Sequence, residues 1–98
     1  MNAYFYSFGE HQYVAETIAD RARYEVAELC GVVIAATRGK AQALAVAYES
    51  RDASVEWTDM RTMRKLCDDA QGGPRVVRAG EREGLRLWAI VDARPEEE

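Results

Sequence analysis

The first candidate for chemistry is a basic motif, Thr37-Arg38-Gly39-Lys40, that directly follows an apolar run. If a helix begins at Thr37, its unbonded backbone N–H groups and its dipole favour an anion, and two cations strengthen that preference. A phosphate-binding P-loop needs a longer glycine-spaced loop before its Lys-Ser/Thr pair, and a dinucleotide fingerprint needs three glycines. The spacing therefore favours a plain helix cap at Thr37, with anion binding as the alternative.

A second group of cations follows Trp57. Arg61, Arg64 and Lys65 lie close to this aromatic residue in the sequence, and such a combination can hold single-stranded nucleic acid by stacking and charge. Acidic residues are interleaved with these cations, so ion pairs on a solvated surface are the favoured interpretation. The alternative hypothesis is a nucleic-acid or phosphate-binding module. Its candidate anion-binding residues are Thr37, Arg38, Lys40, Arg61 and Arg64.

Carboxylates near the end of the predicted helix would form an acidic surface, in contrast to the basic residues around Arg38 and Arg61. Acidic side chains there can face a basic groove of another protein and speed the encounter with it. The chain has 17 acidic residues against 13 lysines and arginines, and this balance argues against general nucleic-acid binding, which needs a basic surface. The predicted protein-binding residues are Glu49, Asp52, Glu56 and Asp59.

Residues that could act as catalytic nucleophiles or as metal ligands are scarce. His11 is the one histidine, and Cys30 and Cys67 lie far apart without a Cys-x-x-Cys motif, so the sequence predicts no metal site and no cofactor. No serine lies in a nucleophile-elbow motif, and spacing selects no catalytic carboxylate pair. We expect the protein not to be an enzyme and the cysteines to be buried thiols, with a disulfide as the less favoured alternative.

The elements that position these residues follow from apolar patterns. Residues 3–8 are rich in aromatics and precede Gly9, which predicts a strand and a tight turn. Residues 11–17 fit either a second hairpin strand or the start of a helix, because apolar residues recur at spacings of three and four from Val14 onward. The favoured interpretation is a short strand at 11–17 and a helix from a cap at Thr17 to a stop at Gly31.

The rest of the chain begins with a continuous β-branched run at 31–36, which predicts a central strand covered on both faces. A helix from Thr37 to about Ser50 follows, and two strand–helix units in tandem predict a right-handed crossover if their strands are parallel. Residues 57–66 fit either a helix or a strand. Strands are predicted at 75–79 and 85–91, joined by a glycine-flanked hairpin, before a frayed acidic tail at 94–98.

Residues 33–50 and 56–66 together resemble a segment of small, mostly uncharacterised accessory proteins of phages and prophages. The shared pattern is an apolar strand ending in AATRGKA, an Ala-rich helix, and an aromatic residue followed by TDMRTMRKL. The resemblance implies an extended strand at 57–66 and brings no catalytic residue. It also implies a setting in which short acidic proteins, such as anti-CRISPR proteins, bind and disable a bacterial host machine.

These patterns predict a single domain over residues 1–93, of the α/β (α+β) class, with a small mixed sheet of four to five strands and two helices. We expect stoichiometric binding to a bacterial host protein or complex, most plausibly as an inhibitor of a host defence complex. No apolar run approaches the ~20 residues that span a bilayer, and a signal-peptide pattern is missing, so we expect the host cytoplasm and no membrane partner. The sequence is compatible with a homodimer.

Overall fold

The structure is a computed structural model that describes residues 1–79. Within this range the chain forms a four-stranded antiparallel sheet in the order β3-β1-β2-β4, with one helix packed on it. The elements are β1 at Asn2–Ile18, β2 at Arg21–Ala35, α1 at Arg38–Glu49, a 3-10 turn at Trp57–Asp59, β3 at Thr62–Cys67 and β4 at Arg75–Ala79.

The α+β class and a sheet of at least four strands are therefore confirmed, but two parts of the fold prediction are wrong for the described residues. The sheet is wholly antiparallel rather than mixed, so it contains no parallel crossover, and residues 1–79 contain one α-helix rather than two. The strand predicted at 85–91, its hairpin and the tail at 94–98 lie outside the described residues.

The helix predicted from Thr17 to Gly31 is replaced by strand β2. Ala19 and Asp20 both have positive φ, at 51° and 65°, and Ile18 pairs directly with Arg21. Two consecutive left-handed residues form the type I′ turn that reverses a chain between two strands. β1 and β2 are consequently one long hairpin.

This hairpin has an inner and an outer part. β3 pairs with residues 3–7 of β1 and β4 with residues 31–34 of β2, so the inner part lies in the middle of the sheet. We call the outer part, residues 10–18 and 21–28, the hairpin arm. A bulge separates the two parts, and Gly9 lies in it with a φ of 79° that suits glycine best. Because β1 continues through Gly9, the tight turn predicted there is wrong.

The sheet buries side chains on both of its faces. On the face that carries α1, Tyr6, Phe8 and Val33 pack against Ala41 and Ala45, whose small side chains let the helix approach closely. The second cluster lies on the opposite face. Its buried members are Ala3, Phe5, Cys30, Val32, Ile34 and Leu66. The prediction of a central strand covered on both faces is confirmed for residues 31–35.

The remaining local predictions can be compared with the same elements. Thr37 caps α1, since its hydroxyl oxygen accepts a hydrogen bond from the Lys40 N–H at 3.2 Å. The extended interpretation of 57–66 is confirmed from Thr62 onward, after a single 3-10 turn, and β4 matches the strand predicted at 75–79. Both cysteines are thiols; Cys30 is buried and Cys67 is half-buried.

Candidate binding surfaces

An apolar groove lies between the outer side of α1 and the segment that leads into the 3-10 turn. Its volume is about 540 Å³, and Trp57 stands at its rim with 66% of its surface exposed. We call it the α1 groove. It is lined by Gly39, Gln42, Ala43, Val46, Ala47, Val55, Glu56 and Trp57.

The backbone around Trp57 is held in place by hydrogen bonds. The Glu56 N–H donates to the Asp59 carboxylate at 2.9 Å, and the Trp57 carbonyl accepts from the Met60 N–H at 3.2 Å. The Gln42 side chain donates to the same carbonyl at 3.4 Å, which joins the turn to α1. The exposed indole is therefore carried on a fixed backbone, which lowers the entropy lost when a partner covers it.

The structure does not bring the four predicted acidic residues onto one surface. Glu49 is fully buried and accepts a hydrogen bond from the Tyr6 hydroxyl at 2.6 Å, so its assignment to a protein-binding surface is wrong. Asp59 is half-buried and bonded to the Glu56 N–H, and Asp52 is half-buried beside β1. Glu56 is exposed and lines the α1 groove.

The predicted cations separate into two groups. Arg38 and Arg61 line one depression of about 270 Å³ together with Gln42 and Thr62. The Arg38 guanidinium donates to the Met63 carbonyl and lies 5.4 Å from the centre of the Tyr4 ring, on the side of the sheet that carries α1.

Arg64 lies on the other side of the sheet. Its guanidinium is 6.0 Å from the centre of the Phe5 ring, and Phe5 belongs to the cluster on the face opposite α1. Lys40 is exposed in the first turn of α1, where its N–H completes the Thr37 cap. A single site that uses Arg38, Arg61 and Arg64 together is therefore excluded.

The hairpin arm carries apolar side chains that belong to the helix predicted from Thr17 to Gly31. Tyr24 and Val26 are 55% and 64% exposed, and β2 alternates regularly, so both lie on the face opposite α1. Spacings of four residues led to the error within β2, because Ala22 and Val26 align on one side of a helix and also lie on one face of a strand. An Ala-Asp turn gives little hairpin signal, since Asn-Gly is the usual pair.

The other face of the arm is charged. Arg23 contacts the carboxylates of Glu25 and Glu16, with Glu16 at 3.5 Å, and the Tyr13 hydroxyl donates to Glu25 at 3.2 Å. The hydrogen bond from Arg23 lowers the pKa of Glu25 most, followed by the charge of Arg23 and the bond from Tyr13. Glu25 and Glu16 raise the pKa of Arg23 in turn.

Residues 1–79 contain no group of three or more His, Cys, Asp or Glu side chains arranged to hold a metal ion. In the same part of the chain, no helix combines the length and the apolar character needed to cross a membrane. Comparison of the chain with protein-family models, with curated proteins and with solved structures gave no match.

Proposed function

We propose that the protein is a small acidic binding protein that acts stoichiometrically on another protein through the α1 groove. The observation that carries the proposal is Trp57, an indole exposed at the rim of an apolar groove on a fixed backbone. Tryptophan is among the residues that most often dominate binding energy at protein interfaces, because it buries a large rigid surface. An apolar side chain of the target would fill the groove against Val46 and Ala47.

The charge around the groove indicates which target chemistry fits. Glu56 lines the groove, and the chain carries a net charge of −4, so a basic residue beside the apolar anchor of the target would be favoured. Proteins that grip nucleic acid present such basic surfaces. Together with the resemblance to phage accessory proteins, this supports an inhibitor of a bacterial host defence complex, acting in the host cytoplasm.

The test is a comparison of two exposed apolar positions. Wild type, Trp57→Ala and the control Val77→Ser are expressed in bacteria that carry a defined defence complex, and phage plaques and co-purified complex subunits are measured. We expect Trp57→Ala to weaken binding by about 30-fold or more and to lose protection of the phage, as for a central interface residue. Val77 is exposed outside the groove, so Val77→Ser should behave as wild type.

Two results would contradict the proposal. The first is that Trp57→Ala protects the phage as well as wild type does. The second is that the wild-type protein neither binds a defence complex nor protects the phage. Parallel melting curves of the three proteins separate a lost surface from a lost fold, because neither exposed side chain contributes to the described core.

The alternative is a nucleic-acid or phosphate-binding module at the Arg38–Arg61 depression. It is supported by two guanidinium groups that line one concave site beside the polar side chains of Gln42 and Thr62. If Arg38→Glu with Arg61→Glu abolishes activity while Trp57→Ala does not, and a bare oligonucleotide competes with the target, this alternative replaces the protein-binding proposal.

A further inference from the structure

The face of the hairpin arm opposite α1 carries three cross-strand pairs that lie side by side. β2 alternates regularly, so residues 24, 26 and 28 share this face with Cys30, which belongs to the cluster opposite α1. Directly opposed residues of an antiparallel pair lie on the same face. We call these six residues the arm patch, and its pairs are Val14 with Tyr24, Gln12 with Val26, and Glu10 with Glu28.

The outer part of the arm patch is apolar and accessible. Tyr24 and Val26 are 55% and 64% exposed, and Val14 is half-buried beside them. A depression of about 440 Å³ lies between this part of the patch and the loop at 50–54. Apolar side chains exposed next to a concave surface are typical of a contact site for another protein.

The inner part of the arm patch holds a carboxylate in a fixed position. The Gly9 N–H donates to the Ser7 hydroxyl oxygen at 3.1 Å, and that hydroxyl donates to one oxygen of the Glu28 carboxylate at 2.8 Å. Ser7 is itself buried, so the side chain that orients Glu28 belongs to the interior. The half-buried Glu28 therefore presents its carboxylate in one orientation, which lowers the entropy lost when a ligand binds to it.

Glu10 places a second negative charge beside Glu28. Directly opposed residues have Cβ atoms about 4.5–5.5 Å apart, and like charges at this distance are destabilising. The ion pairs described on the arm, Arg23 with Glu16 and Glu25, lie on its other face. A cation from another molecule would relieve the repulsion by contacting both carboxylates. A guanidinium group fits this role best, because its planar fork of N–H donors can bond to two acceptors at once.

We propose that the arm patch binds an arginine of a partner protein, with the guanidinium between Glu10 and Glu28 and an aliphatic neighbour of that arginine on Val26. Val26 and Glu28 are roughly 7 Å apart along the strand, and alternate residues of an extended segment repeat at the same distance. The partner segment is thus extended, with the arginine and the aliphatic residue two positions apart. The inference goes beyond the proposed function, because the arm patch and the α1 groove have no residue in common.

A titration of the isotope-labelled full chain with a designed peptide, followed by NMR, tests the proposal. The probe is acetyl-Val-Thr-Arg-Thr-Val-amide, in which a valine lies two positions from the arginine in both directions, so either strand polarity fits. The control peptide has glutamine in place of arginine. We expect the arginine peptide to shift the amide signals of Glu10, Val26 and Glu28, and to bind at least about tenfold more tightly than the control.

Two substitutions that remove the same charge locate the site on the protein. Glu28→Gln keeps an oxygen that can accept from Ser7, so the local structure is retained, and it should weaken binding of the arginine peptide at least about fivefold. Glu25→Gln acts on the other face of β2 and should bind the peptide as wild type does. Trp57→Ala should also bind it unchanged, so failure at the arm patch and failure at the α1 groove are distinguishable.

Three results would overturn the proposal. The first is that the glutamine peptide binds as tightly as the arginine peptide. The second is that Glu25→Gln weakens binding as much as Glu28→Gln, which would indicate attraction to the net charge alone. The third is that the arginine peptide shifts no signal of the arm patch at concentrations up to about 10 mM, a range that detects dissociation constants in the millimolar range.

Discussion

Glu25 shows how an exposed carboxylate can acquire a distinctive pKa. Arg23 is its neighbour on the same face of β2, and the Tyr13 hydroxyl reaches it from the paired strand. Both partners bond to the ionised form, so the pKa of Glu25 is lowered in the folded protein. The contribution to stability is present above the ordinary pKa of glutamate and is lost as the pH falls through the lowered value.

An NMR titration of the Glu25 side-chain carboxyl carbon measures this effect. We expect its midpoint to lie below that of a glutamate in an unfolded peptide, and Arg23→Gln to raise it towards the ordinary pKa, because Arg23 supplies the two largest causes. Tyr13→Phe, the matched control, should raise the midpoint less. A midpoint that Arg23→Gln leaves unchanged would refute the contact.

The burial of Glu49 could not be predicted from its residue type alone. A carboxylate near a helix end is usually solvated, yet this one is buried against the Tyr6 hydroxyl. A sequence signal did exist, because Glu49 follows Ala41 and Ala45 at intervals of four and so continues the buried stripe of α1. An acidic residue in the register of the buried stripe was thus the indication that Glu49 is not a surface ligand.

At the level of elements, the sequence predicted correctly those helices and strands whose conformation depends on residues close together in the chain. The Thr37 cap predicted the start of α1, and the β-branched run predicted the inner part of β2. The strand that became β4 was predicted from its position before a glycine-flanked connection. The strand predicted at 11–17 is confirmed as part of β1, but the β2 half of the arm was predicted wrongly as a helix. Its conformation depends on pairing with a strand that lies earlier in the chain, which no short sequence window contains. The exposure of Trp57 beside α1 could not be predicted, because it depends on where the 3-10 turn packs against α1.

The Ala19-Asp20 turn gives a prediction at this scale. Both residues have positive φ, which costs energy for Ala19 because of its Cβ. Ala19→Asn with Asp20→Gly supplies the pair that a type I′ turn prefers, and we expect the free energy of unfolding to rise by about 1 kcal/mol. Thermal or urea unfolding followed by circular dichroism measures the change.

The matched control for this turn lies inside α1. Ala43→Gly adds backbone freedom at an exposed helical position where glycine is unfavourable, so it should lower the stability by roughly 0.5–1 kcal/mol. If the turn variant is no more stable than wild type while the control behaves as expected, the left-handed conformation of Ala19 is wrong.

On the scale of the whole molecule, the arrangement of the sheet separates two surfaces. α1 and the 3-10 turn form the α1 groove on one side of the sheet, whereas the hairpin arm, with the charged contacts of Arg23, forms the other surface. The principal extent of 44 Å, against 25 and 24 Å in the other directions, reflects the length of the hairpin. The α1 groove and the arm have no residue in common.

The two surfaces should therefore respond to mutation separately. We expect Trp57→Ala to lose the target, and Arg23→Glu, which changes only the charged face of the arm, to bind the target with unchanged affinity in solution. Loss of solution affinity in Arg23→Glu would show that the target also contacts the arm, which would merge the two surfaces into one interface.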